Sequence, residues 1–248
     1  MLYNYHTHTT YCDGENTAEE MVQKAIELGL SELGFSGHSY TEFDEEWCMS
    51  PEDIKDYKKE ITALKEKYKD NIKILLGIEC DYFSDVAVED YDYVIGSVHY
   101  LNKNGEYFSV DSKKEEFIEA VDRHYGGDFY AFAEDYYEMV ADVYNKTKCN
   151  IIGHFDLLTK YNKGNELFDT LHPRYVAAWK RAADAVIKTP AVVEINTGAI
   201  ARGYTNAPYP AKDIIDYFKA HGKKLIFSSD CHNKEFLLCH YEEVKKHL

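Results

Sequence analysis

The chain of 248 residues is 45% hydrophobic and 15% aromatic, which is enough for one large core and too apolar for a disordered segment. A net charge of −16 with no basic run or stripe argues against a nucleic-acid partner, so a phosphorylated substrate would have to find positive charge supplied locally. Six cysteines without a CxxC pair read as reduced thiols, the N-terminus lacks a signal-peptide pattern, and no apolar run approaches the ~20 residues of a membrane span; a single cytoplasmic domain over residues 1–248 is expected.

Leu2 to His8 is the first predicted strand. A helix follows, opened by the capping box of Thr17 and Glu20 and closed near Gly29. Leu33 to Gly37 gives the second strand, and Ser50-Pro51 starts a helix running to about Tyr68. The third strand is Ile72 to Cys80 and the fourth Tyr91 to His99. Helical patterns over Lys113 to His124 and Phe129 to Lys146 lead to a fifth strand, Asn150 to His154. The helix Pro173 to Ile187 precedes the sixth strand, Ala191 to Asn196. A helix over Pro210 to His221 precedes the seventh, Lys224 to Ser229, and a last helix is predicted from about Lys234. Seven strands alternating with helices imply a parallel α/β sheet, either closed into a barrel or open and doubly wound. No GxGxxG follows the first strand, which counts against dinucleotide binding.

The histidines and acids fall at one place on this map. His6 and His8 end the first strand, Asp13 lies just beyond, and His38 follows the second. Glu79, His99 and His154 end the third, fourth and fifth; Asp230 and His232 follow the seventh. In an α/β barrel the C-terminal strand ends face one mouth. Residues i and i+2 of a strand share a side, so His6 with His8, and Asp230 with His232, can each face one ion. Glu79 can bridge two ions, and imidazole with carboxylate suits zinc, iron or manganese. A lone histidine at a strand end is more often a surface or hydrogen-bonded residue, and a lone acid a helix cap. Histidines at five strand ends together with carboxylates are hard to obtain by accident, whereas His124, His172, His221, His240 and His247 fit the ordinary reading.

The segments HTHTTYCDG from His6, FSGHS around His38, GIECDY around Glu79, IGSVHY around His99, GHFDLLTKYN from Gly153, EINTGAIARG from Glu194 and SSDCH from Ser228 resemble the motifs of the PHP superfamily (polymerase and histidinol phosphatase), in particular its histidinol-phosphate phosphatases. The resemblance runs almost end to end. It implies a distorted (β/α)7 barrel, TIM-barrel-like, and a site for three divalent metal ions. By this resemblance His6, His8, Glu79 and Asp230 would hold one ion, Glu79, His99 and His154 a second, and Asp13, His38 and His232 the third. The implied activity is hydrolysis of L-histidinol phosphate, a small-molecule phosphate ester, in histidine biosynthesis. The alternatives are another small ester, such as a nucleotide or sugar phosphate, and a metal-binding module without turnover. A nearby acid or a metal-bound water would protonate the departing alkoxide, and Asp230 or His232 could serve as that acid.

Of four arginines against 24 lysines, Arg202 alone lies in a loop on the site side, where a guanidinium can clamp two phosphate oxygens. Lys160, after the fifth strand, is near where these phosphatases offer a second basic residue. Asp156, Tyr40 and Tyr161 are candidates to line the pocket, where an acid would suit the histidinol ammonium. Cys12 and Cys231 flank the ligand positions and read as small buried fillers.

Overall fold

Strands buried on both faces are apolar throughout and helices are apolar on one side, and both patterns fold here as their periods dictate. The computed structural model describes residues 1–248. Its elements are β1 (Tyr3–Asn4), α1 (Ala18–Glu27), β2 (Glu32–Phe35), α2 (Pro51–Lys67), β3 (Lys73–Asp81) and β4 (Tyr93–Ser97). Then come β5 (Tyr100–Lys103), β6 (Glu106–Ser109), α3 (Lys114–Tyr125), α4 (Phe129–Thr147), β7 (Ile151–Ile152) and α5 (Pro173–Ile187). The chain ends with β8 (Val192–Asn196), α6 (Gly198–Ala201), α7 (Lys212–Ala220), β9 (Leu225–Ser228) and α8 (Tyr241–Val244).

Seven strands form one parallel sheet in the order β1-β2-β3-β4-β7-β8-β9. Its two edges then meet beyond the regular strands. Thr7 bridges Cys231, the His8 N–H donates to the Cys231 carbonyl at 3.0 Å, and the Cys231 N–H donates to the His6 carbonyl at 3.3 Å. These bonds close the sheet into a distorted (β/α)7 barrel. No helix is long and apolar enough to cross a membrane.

β1 is shorter than the sequence predicts, for a reason visible in its side chains. Tyr3 and Tyr5 pack on the small cluster of Tyr93, Ile95, Ile151 and Ile226, whereas His6 and His8 turn toward Glu79. Tyr5 and His6 thus both face inward, the alternation shifts by one residue, and regular pairing stops there.

The antiparallel hairpin β5–β6 adds to the expected elements. Its turn is Asn104-Gly105 at φ +55° and +87°, the left-handed pair favoured in two-residue hairpins. The predicted last helix is not formed as one unit: a 3-10 turn over Lys234–Phe236 is followed by the short α8. The Leu237 carbonyl accepts from Asn4 Nδ2 at 3.1 Å instead of continuing a helix, and His240 sits at φ +57°.

Tyr93 crosses the bottom of the barrel, and its hydroxyl donates to the carbonyls of Tyr5 (2.6 Å) and Phe35 (3.0 Å). Gly77 leaves room for the ring, since a Cβ there would lie 2.2 Å from it. The ring is tied at its hydroxyl and cannot swing away. Gly77→Ala is expected to cost about 1–3 kcal/mol, and so to lower the melting temperature by roughly 2–4 °C per kcal/mol; an unchanged melting curve would show that the ring yields.

Candidate metal centre

Side chains alternate along β3, so Leu75, Gly77 and Glu79 succeed one another up the inside of the barrel. Glu79, wholly buried, is the centre of the site. Its Oε2 lies 3.1 Å from His6 Nε2, 3.6 Å from His8 Nε2 and 3.0 Å from His38 Nδ1. Its Oε1 lies 2.8 Å from His154 Nε2 and 3.2 Å from His99 Nε2, and accepts from Ser97 Oγ at 2.7 Å. Asp230 Oδ1 is 3.6 Å from His6 Nε2 and 3.2 Å from His8 Nε2. Asp13 completes the group, with Oδ2 3.0 Å from His232 Nε2 and Oδ1 3.6 Å from His38 Nε2. The structure therefore brings all nine candidate ligands together at the barrel mouth.

Two observations test whether this donor set fits metal ions. Buried His6 Nε2, His8 Nε2, Asp13 Oδ1 and Glu79 Oε2 have no hydrogen-bond partner, although they lie close to one another. Buried polar atoms are rarely left so. A tetrahedral ion with N and O ligands at its usual bond lengths also sets its ligands about 3.3 Å apart. The contacts of His6 and His8 with Glu79 and Asp230, between 3.1 and 3.6 Å, bracket that edge. Three groupings could each hold an ion: His8, Asp13, His38 and His232; His6, His8 and Glu79; His38, Glu79 and His99.

The electrostatics agree. Burial works against ionisation of Glu79, yet His6, His38 and His99 hold its pKa well below the ordinary value; Asp230, likewise opposed by burial, is held low by His6 and Arg202. Burial would lower His6 and His38 too, but the facing carboxylates raise both well above normal, and His99 to about 10. His8 is the exception: burial, with His232 and His38 beside it, lowers it to about 3 and keeps it neutral. The carboxylates thus draw protons onto the imidazoles, supplying positive charge that divalent cations could supply instead. Burial pushes the thiols of Cys12 and Cys231 up to about 11 and about 12, so both remain neutral fillers.

Several residues that hold the cluster have no assigned role in the sequence reading. Glu194 Oε2 accepts from His6 Nδ1 at 2.9 Å, while its Oε1 accepts from the His154 N–H at 2.6 Å and Asn196 Nδ2 at 2.8 Å. Asp81 Oδ2 accepts from the His99 N–H at 3.0 Å and lies 3.3 Å from its Nδ1. Carboxylates behind imidazoles fix which ring nitrogen is left to face an ion. Glu194 carries the signal that could have found it, since it is an acid inside the largely apolar sixth strand and falls in a quoted motif.

A cavity of about 320 Å³ opens above the cluster, walled by Trp47, Tyr100, Asp111, Lys160, Arg202 and Tyr204. Arg202 reaches its floor, with Nη1 2.8 Å from His232 Nδ1 and Nη2 3.4 Å from Asp230 Oδ2. Lys160 lines the wall but directs its ammonium at Asp111, 3.2 Å from Oδ2. Asp156, Tyr40 and Tyr161 do not line the cavity. Asp156 is buried behind it, where Oδ2 accepts from the Ala211 N–H at 2.9 Å, and the Tyr161 hydroxyl donates to the backbone at Asp111 and Ser112.

The PHP domain family model matches residues 4–198. The chain belongs to the PHP domain family. It is 31% identical over 243 residues to a Deinococcus radiodurans protein named "Probable histidinol-phosphatase", covering 93% of this chain and 86% of that one. A crystal structure of a candidate histidinol phosphatase from Listeria monocytogenes superposes with a TM-score of 0.85 at 23% identity, covering 97% of this chain and 99% of the other. Histidinol phosphate phosphatase from Lactococcus lactis, solved with zinc, L-histidinol and phosphate, superposes with a TM-score of 0.68 at 22% identity over 99% and 93% of the two chains.

Glu194→Gln keeps the shape of the group behind His6 and removes its charge. Zinc retention, measured by competition with a chromogenic chelator, is expected to weaken about 10–100-fold; unchanged retention would show that Glu194 only packs.

Proposed function

We propose that the chain is a histidinol-phosphate phosphatase, hydrolysing L-histidinol phosphate to L-histidinol and inorganic phosphate in the cytoplasmic route to histidine. The observation that carries this reading is the convergence of nine candidate ligands from six strand ends, several with unpartnered buried atoms, on the floor of a small cavity, in a chain of this family. A cavity of about 320 Å³ suits a small ester; a polyanion would need an extended basic surface, which the sequence lacks.

Three divalent ions, zinc, iron or manganese, would be held by His6, His8, Glu79 and Asp230, by Glu79, His99 and His154, and by Asp13, His38 and His232. Bound there, they would make water acidic enough to attack phosphorus at neutral pH and would neutralise charge on the phosphoryl oxygens. The protein supplies orientation and proton handling. Arg202 is placed to take two phosphoryl oxygens in its fork, turning from His232 as it does so. Asp230, kept ionised, can accept a proton at Oδ2, and His232, which faces the cavity, can return one to the departing alcohol oxygen.

Protein loaded with zinc or manganese should release phosphate from L-histidinol phosphate with kcat/KM above ~10⁴ M⁻¹s⁻¹, the lower end of ordinary enzymes. It should also prefer that ester to nucleotide and sugar monophosphates; the reverse preference would replace the substrate. His8→Ala should abolish turnover and lower the metal content found by elemental analysis. Arg202→Ala removes charge-assisted bonds, and kcat/KM should fall roughly 10–100-fold; an unchanged value would refute the clamp.

A further inference from the structure

We infer that Asp111 is the receptor for the ammonium group on the alcohol half of the substrate, and that Lys160 is the residue that positions it. This rests on the histidinol phosphate reading above. Five carboxylates line the cavity, and four are committed to the histidines: Asp13, Glu79 and Asp230 face the ring nitrogens directly, and Asp81 holds His99. Asp111 bonds to none of them.

Its place is fixed by the hairpin that leaves the cluster. β5 begins one residue after His99, β6 runs back, and the Val110 N–H donates to the His99 carbonyl at 2.8 Å. Val110 is fully buried, so the next residue is held at the edge of the ligand set. The Tyr161 hydroxyl fixes the same point from the other side, donating to the Asp111 carbonyl at 2.9 Å. Asp111 is ionised: burial alone would raise its pKa, but Lys160, His99 and His154 hold it below the usual range.

The two carboxylate oxygens differ. Oδ2 takes Lys160 Nζ at 3.2 Å, whereas Oδ1 receives only Ser109 Oγ at 3.3 Å, a hydroxyl free to rotate away. The side chain is 27% exposed and lines the cavity. Lys160 also donates to the Asp111 carbonyl and lies 4.9 Å from the centre of the Tyr204 ring, an arrangement that aims its donors at Asp111 and away from the floor. The cavity therefore has two ends of opposite character. Arg202 sits on the floor beside Asp230 and His232, where a phosphoryl group would lie, and Asp111 offers a free anionic oxygen on the wall. A phosphate ester held at the floor carries its alcohol toward the wall, and a cationic amine on that alcohol meets Asp111.

The test compares L-histidinol phosphate with 3-(imidazol-4-yl)propyl phosphate, which lacks only the amine, on the metal-loaded protein. The ratio of their kcat/KM values should fall at least about tenfold in Asp111→Asn, the loss expected for a hydrogen bond between charged groups. L-Histidinol should likewise inhibit this variant at least about tenfold more weakly than the wild type. Lys160→Gln should lower the same ratio if it positions Asp111, and circular dichroism shows whether either variant is folded. A ratio unmoved in folded Asp111→Asn overturns the inference while leaving the phosphatase reading intact. Should Lys160→Gln depress both esters equally, Lys160 is a phosphate ligand and its positioning role is lost. A wild-type protein that ignores L-histidinol phosphate overturns both readings at once.

Discussion

A carboxylate sealed in the middle of a barrel must be met by positive charge or lose its own. Glu79 is in that position, with no exposure to water and five imidazoles within 3.6 Å. Isolated burial would favour its neutral form strongly. The surrounding rings reverse this, and they do so only because four strand ends aim them inward, His6 and His8 from the first and His38, His99 and His154 from three others. Small residues such as Gly77 below, the hydroxyl of Ser97 beside and the carboxylates of Glu194 and Asp81 behind all serve that aim. The arrangement is costly without cations, which suits it to hold ions before any substrate is considered.

The same logic explains how an acidic protein can take an anionic ester. The net charge of −16 is a long-range field, screened within about a Debye length at physiological salt. At the floor of the cavity the balance is set locally by the cluster and by Arg202. On the wall, Lys160 takes one oxygen of Asp111 and leaves the other with Ser109. The surface charge therefore says little about the chemistry of the pocket, beyond disfavouring extended polyanions.

The strand and helix order was legible because periodicity and capping are local properties: the Thr17–Glu20 box and the Pro at the start of α2 stand where the pattern puts them. The closed barrel and the family were legible through the spaced HxH and DxH pairs and the quoted motifs. The hairpin carried its own Asn-Gly signal. The supporting acids were harder to read, for a physical reason. Glu194 meets His6 across 188 positions, and an acid in or near a strand looks alike whether it ligates, orients or caps. Asp111 and Asp156 show the same ambiguity in reverse: both are acids near a ligand strand, and only packing turns one into the cavity and the other away from it. The final helix failed to form because tertiary bonds from Asn4 to Leu237 outweighed local propensity.

The seam that closes the barrel is narrow. Two backbone bonds join the end of the first strand to Cys231, and the residues on either side of it are His6, His8, Asp230 and His232. During synthesis the first pair leaves the ribosome long before the second exists. The growing chain can already carry His6, His8, Glu79 and His99, but the grouping of His8, Asp13, His38 and His232 is complete only once the last strand has emerged and docked. The full cluster of nine side chains is thereby reserved for a finished barrel, and its completion and the sealing of the fold are one event in time.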